Sequence, residues 1–178
     1  MTGAAKTGED PLVSIARQAI ETYIRDRTVI EPAQVLGLKP RRAGVFVSLH
    51  LPDGSLRGCI GTTEPYQPDI EQEIVANAIS AATKDPRFYP LEASELDGLD
   101  ISVDVLEAPE EVGGPEDLDV KEYGVIVRAI DGRRGLLLPD LDGVETVDQQ
   151  IRIACRKGGI DPVEEQYSIF RFRVQRHH

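Results

Sequence analysis

The chain has no tryptophan, one methionine and two cysteines among 178 residues, and aromatic side chains make up only 5% of it. Cys59 and Cys155 cannot build a disulfide framework. None is needed at this length, where folding buries roughly 70% of the unfolded surface. Two unpaired thiols suit a reducing cytoplasm. One internal histidine, His50, and two widely separated cysteines give no zinc spacing, and the carboxylates of 107–119 lack the ordered pattern of a calcium loop. No Walker phosphate loop, strand-to-helix GxGxxG or HExxH is present, so neither a metal nor a nucleotide cofactor is expected. The cysteines are too few to ligate an iron–sulfur cluster. No apolar run approaches the roughly 18 residues of a membrane span, and the opening MTGAAKTGEDP lacks the apolar stretch of a signal peptide. Positive charge is also scarce. Twenty Lys and Arg against 31 Asp and Glu leave a net charge of -11, which argues against general nucleic-acid binding.

What remains is ordinary for a soluble globular protein: 40% hydrophobic and 29% charged residues. Residues 1–10 are expected to form a disordered tail, 11–174 a single domain and 175–178 a second tail. The last of these carries two terminal histidines that are either native or a tag remnant. Leu12, Ile15, Ala16, Ala19, Ile20, Tyr23 and Ile24 recur at helical spacing, predicting a helix from Pro11 to Arg27 capped by Asp10. Pro32, Gly37 and Pro40 punctuate a connection. A second helix is expected over 69–84, stopped by Asp85-Pro86-Arg87-Phe88-Tyr89-Pro90, and a strand over 99–106.

Between the helices, Gly44 to Leu51 and Leu56 to Ile60 read as a hairpin turning at Asp53-Gly54, a signal for a type I′ turn. That turn pairs Leu51 with Leu56, His50 with Arg57, Leu49 with Gly58, Ser48 with Cys59, Val47 with Ile60 and Phe46 with Gly61. One face is then aliphatic, and the other gathers Ser48, His50, Arg57 and Cys59. After an acidic, Gly- and Pro-rich stretch at 107–119, read as loop or hinge, the pattern returns. Gly124-Val125-Ile126-Val127, Asp131-Gly132 and Arg134-Gly135-Leu136 echo Gly44-Val45-Phe46-Val47, Asp53-Gly54 and Arg57-Gly58-Cys59. A helix over 145–157 and a strand over 167–174 follow. The expected fold is therefore α+β, a largely antiparallel sheet with flanking helices, built by duplication of a β-β-α-β unit.

Gly44-Val45-Phe46-Val47, Leu56-Arg57-Gly58-Cys59-Ile60-Gly61, Asp85-Pro86-Arg87-Phe88, Leu91, Glu95-Leu96 and Gly135-Leu136-Leu137-Leu138-Pro139 stand in the order of a known family. The chain resembles the AMMECR-type domain family, in the form called AmmeMemoRadiSam system protein A, over roughly 11–174. The resemblance implies an α+β fold with a larger and a smaller lobe and a cleft near LRGCIG. It also implies a Memo-like protein and a radical S-adenosylmethionine enzyme as partners. Relatives often carry tryptophans in the last third, and this chain has none. The resemblance supplies no reaction.

Two readings of LRGCIG stand side by side. In one, the chain is a cytoplasmic accessory or substrate-binding protein. Arg57, Gly58, Gly61, Thr62 and Arg87 then contact a small anionic substrate, and Cys59 shapes the pocket. In the other it is an enzyme, with Cys59 as nucleophile, His50 diagonally across the hairpin as base and Arg57 favouring the thiolate. Against both, Cys59 is small enough to serve as core packing, and Gly58 and Gly61 can mark close approach of a neighbouring backbone. Arg57 has Asp100 and Asp104 as candidate cross-strand partners. Cys155 reads as packing.

Overall fold

A computed structural model describes residues 8–32 and 41–178. Of the expected N-terminal tail, residues 1–7 lie outside the described residues, as do Gly37 and Pro40 of the connection. Glu9 and Asp10 are built in. Glu9 accepts from the Arg17 guanidinium at 2.8 Å, and Asp10 caps helix α1 (Pro11–Asp26) by accepting from the Leu12 amide at 2.8 Å. The chain divides into two compact units, a larger one of 1–105 with 176–178 and a smaller one of 106–175.

In the larger unit α1 is followed by β1 (Val45–His50), β2 (Leu56–Gly61), α2 (Ile70–Thr83) and β3 (Asp100–Leu106). Val45, Val47 and Leu49 of β1 and Ile101, Val103 and Val105 of β3 form one continuous core with the apolar stripes of α1 and α2. The smaller unit carries β4 (Glu110–Val112), β5 (Gly124–Ala129), β6 (Arg134–Leu137), α3 (Val147–Gly158) and β7 (Tyr167–Phe172), with β8 (Val174–His177) last in the chain. Each unit's sheet has four strands, ordered β2-β1-β3-β8 and β4-β7-β5-β6. The expected loop at 107–119 therefore contains a strand, β4, paired antiparallel to β7 through Glu111 and Phe170. The expected C-terminal tail likewise runs as β8 through His177, at the edge of the first sheet.

The β-β-α-β order recurs, and in each unit the first strand lies between its hairpin partner and the strand after the helix. In both units the helix also reaches a carbonyl near the start of the first strand, at residues two apart in the alignment of the repeats. Asn77 of α2 donates to the Val45 carbonyl at 3.0 Å, and Gln150 of α3 to the Tyr123 carbonyl at 2.7 Å. Four residues on, the Ala81 and Ala154 carbonyls press against Gly58 and Gly135, where a Cβ would overlap them. Glycine is required at both because the helix backbone sits directly on the strand.

The turn differs from expectation, but most of the register does not. Gly54 donates to the Leu51 carbonyl and Leu51 to the Ser55 carbonyl, so the loop is Pro52-Asp53-Gly54, with only Gly54 at positive φ (83°). Pro52 suits the first central position of a type I turn. A three-residue loop displaces the pairing by one, and a bulge at Arg57 restores it. Ser48–Cys59, Leu49–Gly58, Val47–Ile60 and Phe46–Gly61 pair as expected, whereas His50 opposes Leu56 instead of Arg57, and Leu51 bonds Ser55 instead of pairing with Leu56. Among the described residues no helix is long and apolar enough to cross a membrane.

Candidate functional site

β2 is an edge strand, and Cys59 lies in the middle of it. Its outward amide donates to Asp85 Oδ2 at 2.9 Å, so a carboxylate at the end of α2 satisfies a group that would otherwise be left open. Asp85, 4% exposed, also accepts from the Arg87 amide, Nε and Nη2 at 3.1, 3.0 and 2.7 Å. The Arg87 guanidinium is the main reason the Asp85 carboxyl is held well below the usual carboxylate range. The Cys59 Sγ accepts from the Ser48 hydroxyl at 3.2 Å, from the cross-strand neighbour that the register predicts. Burial pushes the thiol above its ordinary value, an effect that the Ser48 hydrogen bond and the Arg87 charge offset only in part. Cys59 is thus a half-buried thiol whose surroundings favour the neutral form over the thiolate.

Arg57 projects from the bulge toward the segment after α2. Its Nε and Nη2 donate to the two Glu95 oxygens at 2.7 and 3.1 Å, and Nη1 donates to the Tyr89 carbonyl at 3.0 Å. Its partner is therefore Glu95, and neither Asp100 nor Asp104 fills that role. With all three nitrogens engaged and its side chain 14% exposed, Arg57 is a clamp on the 85–95 segment. The Phe88 ring lies 5.9 Å from its guanidinium and 5.5 Å from that of Arg87. Arg87 is the more accessible cation: its side chain is 55% exposed, and among the described residues its Nη1 makes no hydrogen bond.

The remaining expected residues serve the backbone. Thr62 donates to Glu73 Oε1 at 2.6 Å and accepts from Asn77 at 3.1 Å. Glu73, 1% exposed, also takes the Tyr66 and Gln67 amides. Gly58 admits α2, and Gly61 leaves the space above it to the Phe46 ring. His50 lies two residues from Ser48 on the strand face shared with Cys59, and Asp100 of β3 stands opposite it. Among the described residues its ring makes no hydrogen bond. The structure thus joins Cys59 to Ser48 and Asp85, and Arg57 to Glu95, and makes no bonded Cys59–His50 pair. Asp85 and Glu95 lie within quoted motifs, but composition alone gave them no role. Their signal is a pair of carboxylates flanking Arg-Phe-Tyr just after a helix. Glu73 carried a weaker signal, a charge between apolar positions in the first turn of α2.

A cavity of about 410 Å³ opens elsewhere in the larger unit, bordered by α1 and α2, and no LRGCIG residue lines it. Among the described residues no three His, Cys, Asp or Glu side chains are grouped to hold a metal.

A family model described as AMMECR1 matches residues 13–177. The chain belongs to the AMMECR1 family. A protein from Thermotoga maritima is 51% identical over 96% of this chain and 98% of its own length. One from Clostridium acetobutylicum is 47% identical over 97% of this chain but only 36% of its own length. A crystal structure of an uncharacterised protein from Pyrococcus horikoshii shares the fold with a TM-score of 0.83 and 32% identity, covering 93% of this chain and 88% of that one. The AMMECR1 assignment agrees with the motifs of the sequence, and the structure links LRGCIG to DPRF through the Cys59 amide on Asp85 and the Arg57 guanidinium beside the Phe88 ring.

Proposed function

We propose that this AMMECR1 domain is a cytoplasmic accessory protein that presents or recognises a small anionic substrate beside a Memo-like protein and a radical S-adenosylmethionine enzyme. The LRGCIG and DPRF segments form its working surface. The observation that carries the reading is the Clostridium acetobutylicum relative, in which nearly the whole of this domain accounts for 36% of a longer polypeptide. A domain that also occurs as part of a larger chain fits work done jointly with another protein. The local chemistry supports the same reading. Burial favours the neutral Cys59 thiol, Arg57 is engaged by Glu95 and Tyr89, and Arg87, its side chain 55% exposed, has an Nη1 that makes no hydrogen bond among the described residues and can meet an anion.

The test is co-expression of the tagged chain with the Memo-like and radical enzymes of the same genome, followed by affinity capture. Co-elution of either enzyme is expected, and Arg87→Ala is expected to reduce product formation by the assembled system while leaving the chain folded. Failure to capture either enzyme, together with an unchanged reaction in the absence of this chain, overturns the proposal.

A further inference from the structure

The cavity in the larger unit has a defined chemistry. From α2 it is lined by Gln72, Val75, Ala76, Ile79 and Ser80, whose spacing of three and four residues makes one continuous stripe. Ala76 and Ser80 are small and leave the floor of the stripe recessed. Tyr23, near the end of α1, and Ile30 complete an apolar wall, with Arg27 stacked 5.5 Å from the centre of the Tyr23 ring. Its volume of about 410 Å³ lies within the range of small-molecule sites, which combine an apolar lining with a few convergent polar groups.

The polar groups here carry opposite charges. Glu31 and Lys84 both border the cavity and both are exposed. Among the described residues neither forms an ion pair, with the other or with any third group. The neighbouring α2 carboxylate of Glu73 is committed to Thr62, Tyr66 and Gln67. The border of the cavity thus includes one carboxylate, one ammonium and the neutral hydrogen-bonding groups of Gln72 and Ser80, beside the apolar side chains of Val75, Ile79 and Ile30. We propose that this cavity binds a small zwitterion with an apolar body, either an apolar amino acid or a short apolar peptide. Lys84 receives its carboxylate and Glu31 its ammonium. Among the described residues no LRGCIG or DPRF residue lines the cavity, so failure of partner capture leaves the proposal standing.

Amide NMR of the full chain tests this with four probes: L-leucine, leucyl-leucine, 4-methylpentanoate, which lacks the ammonium, and leucinamide, which lacks the carboxylate. Saturable shifts are expected for leucine or leucyl-leucine, concentrated at Tyr23–Glu31 and Gln72–Lys84, with the tighter of the two naming the free amino acid or the peptide. Both single-charge probes are expected to bind more weakly. Lys84→Ala is expected to weaken leucine about three- to fivefold and leave leucinamide unchanged, while Glu31→Gln weakens leucine and leaves 4-methylpentanoate unchanged. Both positions are exposed, so the variants retain the fold. No saturable shift with any probe, equal affinity for all four, or indifference to both substitutions overturns the proposal.

Discussion

At the scale of single residues, the physics of this domain turns on which charges are already spent. Cys59 lacks what makes a thiol reactive, because burial raises its pKa and its nearest polar partner is the neutral Ser48 hydroxyl. Iodoacetamide at pH 7.5 is therefore expected to label native Cys59 about tenfold more slowly than the urea-unfolded chain, with the rate climbing as the pH is raised past 9. Labelling as fast as in the unfolded chain would favour the nucleophile reading. Asp85 is the opposite case, a carboxylate with four donors around it. Replacing it with alanine strands the Cys59 amide and releases Arg87 to solvent, at an expected cost of about 2 kcal/mol in urea unfolding. Because its folded pKa is depressed, Asp85 contributes stability that is present above the unfolded carboxylate value near 3.8 and disappears as pH falls through the lower folded value. Asp85→Asn is therefore expected to flatten the acid limb of stability against pH below about 4, and an unchanged limb would remove Asp85 from the account.

At the scale of elements, the close helix-to-strand contact is what the two units share, and it rests on glycine. Gly58→Ala and Gly135→Ala each drive a Cβ into a helix carbonyl, Ala81 in one unit and Ala154 in the other. Backbone on both sides of the contact leaves no flexible side chain to yield, so each change is expected to cost about 3 kcal/mol, or roughly 6–12 °C in Tm. Gly132→Ala supplies the contrast. Its cost comes only from a positive φ of 89° with open space around it, and about 1 kcal/mol is expected. Equal losses at all three would mean that the close contact is not what the glycines serve. Much of this was legible beforehand, since Asp-Gly between two apolar runs placed β1 and β2, Asp10 marked the start of α1, and the Arg-Gly echo exposed the repeat. The bulge at Arg57 was not legible, because two one-residue displacements cancel and leave the Ser48–Cys59 pairing intact. Strand β4 was hidden as well, since three residues in an acidic stretch have no readable period and the strand forms only because β7 is there to pair with it. The Glu95 partner of Arg57 lies 38 residues along the chain, a distance that no local pattern spans.

At the scale of the whole chain, the larger unit is discontinuous, made of 1–105 and the last three residues. Those residues are anchored by polar side-chain contacts. Arg176 grips Asp104 through two hydrogen bonds of 2.8 and 3.1 Å, and His177 Nδ1 lies 2.9 Å from Asp10 Oδ2, bringing the last strand to the cap of the first helix. Asp104 is only 4% exposed, so deleting 176–178 leaves a buried carboxylate without its cation. Because Arg176 itself is partly exposed, the expected loss is about 2–3 kcal/mol, smaller than for a fully buried pair. Hydrogen exchange should quicken in β3 and in the first turn of α1, and unchanged exchange at both would show that the end of the chain only rests against the sheet. The clasp carries its own pH signature. Burial works against the Asp10 charge, but the His177 ring and the Leu12 and Val13 amides outweigh it and hold the carboxyl below 3.8. A depressed carboxyl stabilises the fold above that value and stops doing so as pH falls through its folded pKa. His177→Ala is therefore expected to be less stable than the parent chain at neutral pH and to converge with it below about pH 3.8, whereas a gap that widens on acidification would show that His177 works through some group other than Asp10.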